Sequence, residues 1–180
     1  MEYGFQAREF FNFILKEYLN PLFKDNGYAK EKGHSWIKTN GEILIRMSLE
    51  RSGNNMNKEV AFRFYIQMCP EVNQDIKVEH HGKLMDWTWD NGSCNTDMEE
   101  YLPRERKKYK FEKHGWLGWY VIFREDACER LLNDELKIDF EDYLLPLLEK
   151  IKTEELFNKV RVFIKSPRDD YNVGVHDYLK

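Results

Sequence analysis

The sequence predicts an α+β fold: an N-terminal helix packed on a mostly antiparallel sheet of four to six strands, with further helices near the C-terminus. Apolar residues recur with a helical period over residues 8–26. Three following segments, ending near Met68, alternate between apolar and polar residues as half-buried strands do. Because they follow one another closely, we expect the sheet to begin as a meander.

A hairpin is predicted between the first two strands. Asn40-Gly41 separates two apolar segments, and an Asn-Gly loop is typical of a type I′ turn, which requires positive φ at both central residues. The turn predicts that Thr39 lies opposite Glu42. The same register pairs Ile37 with Leu44, Trp36 with Ile45, Ser35 with Arg46 and His34 with Met47.

The second and third strands each carry one apolar face. These faces consist of Ile43, Ile45, Met47 and Leu49 on the second strand, and of Val60, Phe62, Phe64, Ile66 and Met68 on the third. Burying both sets together requires that paired residue numbers sum to an odd value, since a slip of one residue would bury the polar set. A sum of 109 would centre the intervening loop and place Arg46 directly opposite Arg63.

The opposite, mixed face holds the candidate ligand-binding residues, which are Arg46, Ser48, Arg63 and Tyr65. Two arginines on one face require an anion, because like charges opposed across strands are unfavourable. One interpretation is that a carboxylate of the chain, such as Glu50 or Glu59, neutralises them. The other is that guanidinium and hydroxyl groups bind a small anionic ligand or a partner.

The N-terminal helix is predicted to cover the apolar sheet face. Residues 11, 15, 18 and 22 form a 3.6-period stripe, which Phe10 and Ile14 widen. Asn20 as an N-cap and Pro21 as the first helical residue predict that the helix restarts there after a kink. Gly27 fits the left-handed position that ends a helix.

Several motifs of this region resemble one protein family. They are Asn26-Gly27-Tyr28, Lys30-Glu31-Lys32-Gly33, Trp36, the strand end Leu49-Glu50-Arg51-Ser52, and the alternating strand from Glu59 to Met68. Together they resemble the bacterial family of unknown function numbered 4304, over about residues 8–70 and more weakly over 140–159. Glu50 stands where family members carry glutamine. The resemblance implies a fold and a bacterial origin, and it implies no catalytic residue.

Composition predicts one globular domain over residues 1–180, with 70–114 as a family-variable insertion or a long loop region. The chain is 42% apolar, which supplies a core without disulfides or metals. Three widely spaced cysteines form neither a disulfide framework nor a zinc pattern. With no signal peptide and no apolar segment of membrane-spanning length, we expect a cytoplasmic location and no membrane partner.

A basic island interrupts a chain whose net charge is −4. It consists of Arg104, Arg106, Lys107, Lys108, Lys110 and Lys113. Phosphate or RNA binding is one interpretation, but the overall acidity makes nucleic acid the less favoured partner. The other interpretation is a solvated or internally paired segment. The acidic residues upstream would then be its partners: Asp86, Asp90, Asp97, Glu99 and Glu100.

The segment from His80 to Cys94 holds residue types used by small hydrolases and nucleases. His80 and His81 are followed by Asp86, Asp90 and Cys94. Adjacent histidines on a strand point to opposite faces, however, and no helical pair of ligands accompanies them. We therefore predict no metal, no cofactor and no identified catalytic residue.

The C-terminal half predicts mainly helices. Met98 to Tyr101 predicts a short helix stopped by Pro103, and the apolar segment from residue 115 to 123 predicts a strand. Helices follow over 126–136 and 139–151, the second with Asp139 as its N-cap. Thr153 caps a third helix, and the tail after residue 166 is expected to be coil or a short strand.

The function favoured by these observations is a non-enzymatic bacterial binding or interaction module, of the immunity-like kind that neutralises toxins. Its expected partner is an unidentified protein or a small anionic ligand. A hydrolase or nuclease that uses the His80 to Cys94 segment is the alternative.

Overall fold

The computed structural model describes residues 6–52, 59–75, 77–80, 83–86, 92–114, 119–123, 127–168 and 172–180. The strands are β1 Ala29–Lys30, β2 Ser35–Asn40, β3 Ile43–Arg51, β4 Val60–Pro70, β5 Lys77–His80, β6 Lys83–Asp86, β7 Cys94–Asp97 and β8 Tyr120–Ile122. The helices are α1 (7–25), α2 Arg104–His114, α3 (128–150), α4 Glu154–Lys165 and α5 Val175–Tyr178. Short 3₁₀ turns cover Glu71–Asn73 and Met98–Tyr101.

β4 is the central strand of a six-stranded antiparallel sheet. The sheet runs in the order β1-β2-β3-β4-β7, and β8 pairs with the other end of β4, on the same side as β7. β5 and β6 form a separate two-stranded hairpin. The predicted α+β class, the meander start and the short helix stopped before Pro103 are confirmed.

The core lies between one face of this sheet and the helices. The even-numbered residues of β4 and the odd-numbered residues of β3 from Ile43 to Leu49 are buried there, as the alternation predicts. Phe62 contacts Phe11 of α1, with ring centroids 5.2 Å apart. Phe64 contacts Phe140 of α3 edge to face, at 4.8 Å. Both long helices therefore bind the same apolar sheet face.

The β3–β4 register has the predicted parity but a different sum. Arg46 lies opposite Gln67, and Arg63 lies opposite Glu50, so paired numbers sum to 113 (46 + 67). The expected direct pairing of the two arginines is therefore wrong. Opposite charges directly across two strands are favourable, whereas like charges are not. The observed register places Glu50 opposite Arg63 and so pairs opposite charges.

The β2–β3 turn is also displaced from its predicted place. Asn40 pairs with Ile43, so the two loop residues are Gly41 and Glu42 rather than Asn40 and Gly41. The cause is tertiary: the buried Asn40 amide donates to the carbonyl of Ile151, at 3.1 Å, and to that of Leu148. These carbonyls belong to the C-terminal end of α3, where helices have unpaired acceptors.

α1 is continuous through the predicted kink. Its segments Ala7–Phe13, Ile14–Leu19 and Asn20–Asp25 follow without a break, and the middle one is π-helical. Asn20 is not an N-cap, since it has helical dihedral angles and its side chain accepts a hydrogen bond from Trp36 at 3.1 Å. The wide π turn shifts the helical phase, so Leu19 and Phe23 are fully buried, while Tyr18 and Leu22 of the predicted stripe pack against the core but are only partly buried.

α3 replaces the two helices predicted over 126–151. Its segments Cys128–Arg130, Leu131–Leu136, Ile138–Leu144 and Leu145–Lys150 form one helix with two π-helical parts. Asp139 is consequently inside a helix and is not an N-cap. The capping role predicted for Thr153 is confirmed, because its side chain accepts from the Leu156 amide. The tail differs from prediction, since it forms the short helix α5.

The second half of the 70–114 region contributes to the core. β7 pairs with β4, and Tyr101 and Leu102 are buried. The predicted strand around Trp87 and Trp89, and residues 115–118 of the predicted strand, lie outside the described residues. Within the described part of that last segment, β8 forms as expected.

The Phe64→Ala variant tests the buried face of β4. We expect it to lower the free energy of unfolding by about 3–5 kcal/mol, because it leaves a cavity against Phe140 and Tyr120. Chemical denaturation measures this loss, with Phe111→Ala at an exposed ring as the control. A loss below about 1 kcal/mol would contradict the burial of Phe64.

Candidate functional site

The candidate site is the part of the sheet's second face that is formed by β3, β4, β7 and β8, which we call the open face. The registers align its side chains in rows across the strands. Ser35, Ser48, Tyr65 and Asp97 form one row. Glu50 and Arg63 form the next, and the register of β8 continues it to Trp119, just before that strand. The ring of Trp119 accordingly contacts Arg63.

Arg63 is the most constrained side chain on the open face. Its Nε donates to Glu50 Oε2 at 2.9 Å, and its Nη1 lies 3.6 Å from Asp97 Oδ1. The guanidinium carbon also lies 4.6 Å from the ring centroid of Tyr65 and 4.8 Å from that of Trp119. Two carboxylates and two aromatic rings thus hold one cation, an arrangement that combines ion pairing with cation–π attraction.

Asp97 is the least satisfied member of this group. Burial raises the pKa of its carboxyl above the ordinary value, and Arg63 opposes that shift. Within the described residues, its shielded Oδ1 accepts no hydrogen bond. This oxygen faces Arg63, whereas the Asp97 side chain as a whole is 42% exposed, so a further cation could approach the carboxylate only from the side of its other oxygen, Oδ2.

Arg46 has its own carboxylate at the other end of the face. Its Nε donates to Glu31 Oε2 at 2.7 Å, and its Nη2 to Glu31 Oε1 at 3.3 Å. This two-point geometry is the strong form of an arginine–carboxylate pair. Between the arginines, the hydroxyls of Ser35 and Ser48 are hydrogen-bonded to each other at 3.0 Å.

The two arginines share one face, as parity predicts, but they do not share an anion. Arg46 lies opposite Gln67, which is four residues after Arg63 on β4. The two arginines are therefore roughly 13 Å apart along the strand direction. Each guanidinium is paired with a different carboxylate. The anion expected beside Arg46, Ser48, Arg63 and Tyr65 is therefore supplied by the chain itself.

A second charged cluster lies inside the protein, around Asp139. This carboxylate accepts from Arg106 Nε at 2.7 Å, from Lys110 Nζ at 3.1 Å and from the Tyr120 hydroxyl at 2.7 Å. Lys110 and Asp139 are both 0% exposed. Burial raises the pKa of Tyr120 well above its usual range, followed by the effect of Asp139, so the phenol stays protonated and donates.

Three of the six residues of the basic island are internal. Arg106, Lys107 and Lys110 form the buried side of α2, where most helices carry apolar residues. Lys107 pairs with Glu100, which also binds Arg168. Glu100 is one of the predicted upstream partners, whereas Asp139, the main partner, was assigned a different role. Buried cations cannot reach a phosphate backbone, which leaves the exposed Arg104 and Lys108 as the described cations of the island that could.

The segment from His80 to Cys94 yields no assembled catalytic group among the described residues. Cys94 is buried on the core face, and burial raises the pKa of its thiol to about 12, although the hydroxyl of Tyr101 opposes the shift. A thiol needs a lowered pKa to act as a nucleophile at neutral pH. The side chains of His80, His81, Asp86 and Asp90 lie outside the description. Within the described residues, no group of three metal-ligating side chains occurs.

Sequence reasoning identified Arg63 and Tyr65 but missed Trp119 and Asp97 as their neighbours, and it missed Asp139 as the partner of Arg106 and Lys110. Trp119 reaches Arg63 only because β8 pairs with the start of β4. No local pattern encodes that pairing, which joins residues about a third of the chain apart. The one signal in the sequence was the alternation of side chains along the predicted strand. Trp119 and Val121 alternate with Tyr120 and Ile122, which are buried, so they belong to the opposite, mixed face.

Comparisons with known proteins return no relative. No family model, no curated protein and no solved structure matches this chain. The resemblance to family 4304 therefore stays a prediction. Among the described residues, no helix has the length and apolar character needed to cross a membrane.

Replacing Asp139 tests the buried cluster. We expect Asp139→Ala to lower the free energy of unfolding by about 3–5 kcal/mol, because it leaves Lys110 and Arg106 buried without their shared anion. Lys110→Met should cost less, since Arg106 and Tyr120 still bind the carboxylate. The matched control is Asp142→Ala, an exposed aspartate on the same helix, which should change stability by less than about 0.5 kcal/mol. Equal effects of the two aspartate variants would contradict this assignment.

Thiol reactivity tests the cysteines. Cys69, Cys94 and Cys128 are all buried, so none should react with Ellman's reagent at pH 8 while the protein is folded. All three should react after denaturation. Rapid reaction of the folded protein that disappears in Cys94→Ser would restore Cys94 as a candidate nucleophile.

Proposed function

We propose that this chain is a non-enzymatic interaction domain that binds another protein through the open face of its sheet. The observation that supports the proposal most strongly is the stack of Tyr65, Arg63 and Trp119. Tryptophan, tyrosine and arginine are the residue types that carry most of the energy in protein interfaces. Here all three lie side by side and remain partly exposed.

The stack is also held in place before any partner arrives. Glu50 and Asp97 hold the Arg63 guanidinium beside the two rings, and all five residues lie on or beside paired strands. Side chains ordered in advance lose less conformational entropy on binding, so a larger part of the contact energy appears as affinity. The preorganised side chains therefore favour a role of the open face in binding another protein.

Apolar area continues from the stack along β8. Val121 lies opposite Ala61 on the open face, and both are partly exposed. Phe123, the next residue in the alternation, is 48% exposed. An apolar centre beside a charged rim is the usual composition of a specific interface.

A comparative capture experiment tests the proposal. Immobilised wild-type protein, Trp119→Ala and Arg63→Ala are exposed to extract of the source cells, and Tyr178→Ala, at an exposed ring of α5, serves as the control. Thermal denaturation first shows that each variant is folded. We expect at least one protein to be retained by the wild type and the control but lost from both open-face variants.

The candidate partner is then purified and titrated by calorimetry. Removal of Trp119 or Arg63 should weaken the complex by about 30-fold or more, which corresponds to the roughly 2 kcal/mol that defines a hot spot. The proposal would be wrong if every captured protein bound the open-face variants as tightly as the wild type. It would also be wrong if a nucleotide stabilised the protein strongly and the protein converted that nucleotide to a product.

A further inference from the structure

Acidic side chains are the more exposed members of the ion pairs on the open face. In the pair of Glu50 with Arg63, the exposed fractions of the side chains are 50% and 26%. In the pair of Asp97 with Arg63 they are 42% and 26%, and in that of Glu31 with Arg46 they are 31% and 21%. A partner that approaches the sheet therefore meets Glu50 and Asp97 as well as Arg63.

We infer that the protein partner of the open face is basic, and that it places a lysine or arginine side chain against Asp97 and Glu50 beside the ring of Trp119. This inference rests on the proposed function and names the chemistry of the partner. It reverses the expectation drawn from the two arginines alone, which pointed to an anionic ligand.

The balance of charge at this position favours a cation. Three carboxylates, those of Glu31, Glu50 and Asp97, are paired with the two guanidiniums of Arg46 and Arg63. Around Arg63, the carboxylates of Glu50 and Asp97 thus share one guanidinium, and the longer of these two ion pairs is that of Asp97, at 3.6 Å. The net charge of the chain, −4, is also negative. Opposite charge on a partner both accelerates encounter and excludes wrong partners.

The neighbouring apolar residues set a second requirement. The ring of Trp119 contacts Arg63, and Val121 follows it on the same face, opposite Ala61. A partner residue placed beside Asp97 would thus have neighbours that pack against Trp119 and Val121. The partner surface that fits is a basic residue within an apolar patch, as opposed to a uniformly charged and highly hydrated segment such as a nucleic-acid backbone.

Short peptides test this inference without knowledge of the partner. One probe is a blocked pentapeptide with two arginines separated by leucine, and the other has glutamates in place of the arginines. Binding is followed by the indole N–H signal of Trp119 in proton–nitrogen correlation spectra, which is assigned with the Trp119→Phe variant. We expect the arginine peptide to shift this signal, the shift to weaken as salt rises, and the glutamate peptide and inorganic phosphate to leave it unchanged.

Matched variants show whether the carboxylate is responsible. Asp97→Asn should weaken binding of the arginine peptide by about tenfold or more, equivalent to about 1.4 kcal/mol, whereas Asp142→Asn, at an exposed site on α3, should not. The inference is overturned if the glutamate peptide or phosphate binds in preference, or if Asp97→Asn binds normally. In that case a captured protein that still depends on Trp119 and Arg63 would leave the proposed function standing.

Discussion

The alternation of side chains along β4 is the constraint on which the rest of the structure depends. β4 pairs with β3 on one side and with both β7 and β8 on the other, so its two faces define the two faces of the whole sheet. Its even-numbered residues contact the helices, and its odd-numbered residues, including Arg63 and Tyr65, form the open face. A slip of one residue would place both groups in the wrong environment.

π-Helical segments occur in both long helices, one in α1 and two in α3. In α1 the Asn20 amide donates to the carbonyl of Leu15, and in α3 the Leu145 amide donates to that of Phe140. The segment in α1 and the second segment in α3 each end two residues before a proline, Pro21 and Pro146. The wider turn gives the proline ring space that a regular helix would deny. Both helices therefore continue across positions where the sequence predicts a kink or a boundary.

The features that the sequence predicted are those set by short-range periodicity. The buried face of β4, the parity that joins Arg46 to Arg63, the Thr153 cap and the glycine that ends α1 all follow from neighbours a few residues apart. The exact register of β3 and β4 does not, because the intervening loop has no tight-turn signal and the start of β4 pairs with the distant β8. Asn40 likewise left its expected turn position because it binds the end of α3.

In the candidate site, too, short-range periodicity predicts some residues and long-range pairing supplies the others. Arg63 and Tyr65 could be read from β4, but their partners Trp119 and Asp97 come from strands far away in sequence. The basic island shows the reverse error: its composition indicates a surface, while Asp139, Glu100 and Tyr120 hold its central cations inside the protein. A buried carboxylate converts a segment that looks exposed into part of the interior, and only tertiary structure shows that it is there.

Oxidative footprinting of side chains tests most directly whether the protein binds its partner through the open face. Hydroxyl radicals label exposed aromatic rings, so the free protein and its complex with the captured partner can be compared residue by residue. If the open face binds the partner, labelling of Tyr65, Trp119 and Phe123 falls in the complex, while that of Phe111 and Tyr178, which lie on α2 and α5, is unchanged. Protection of Phe111 or Tyr178, with Tyr65, Trp119 and Phe123 labelled as in the free protein, would contradict binding through the open face.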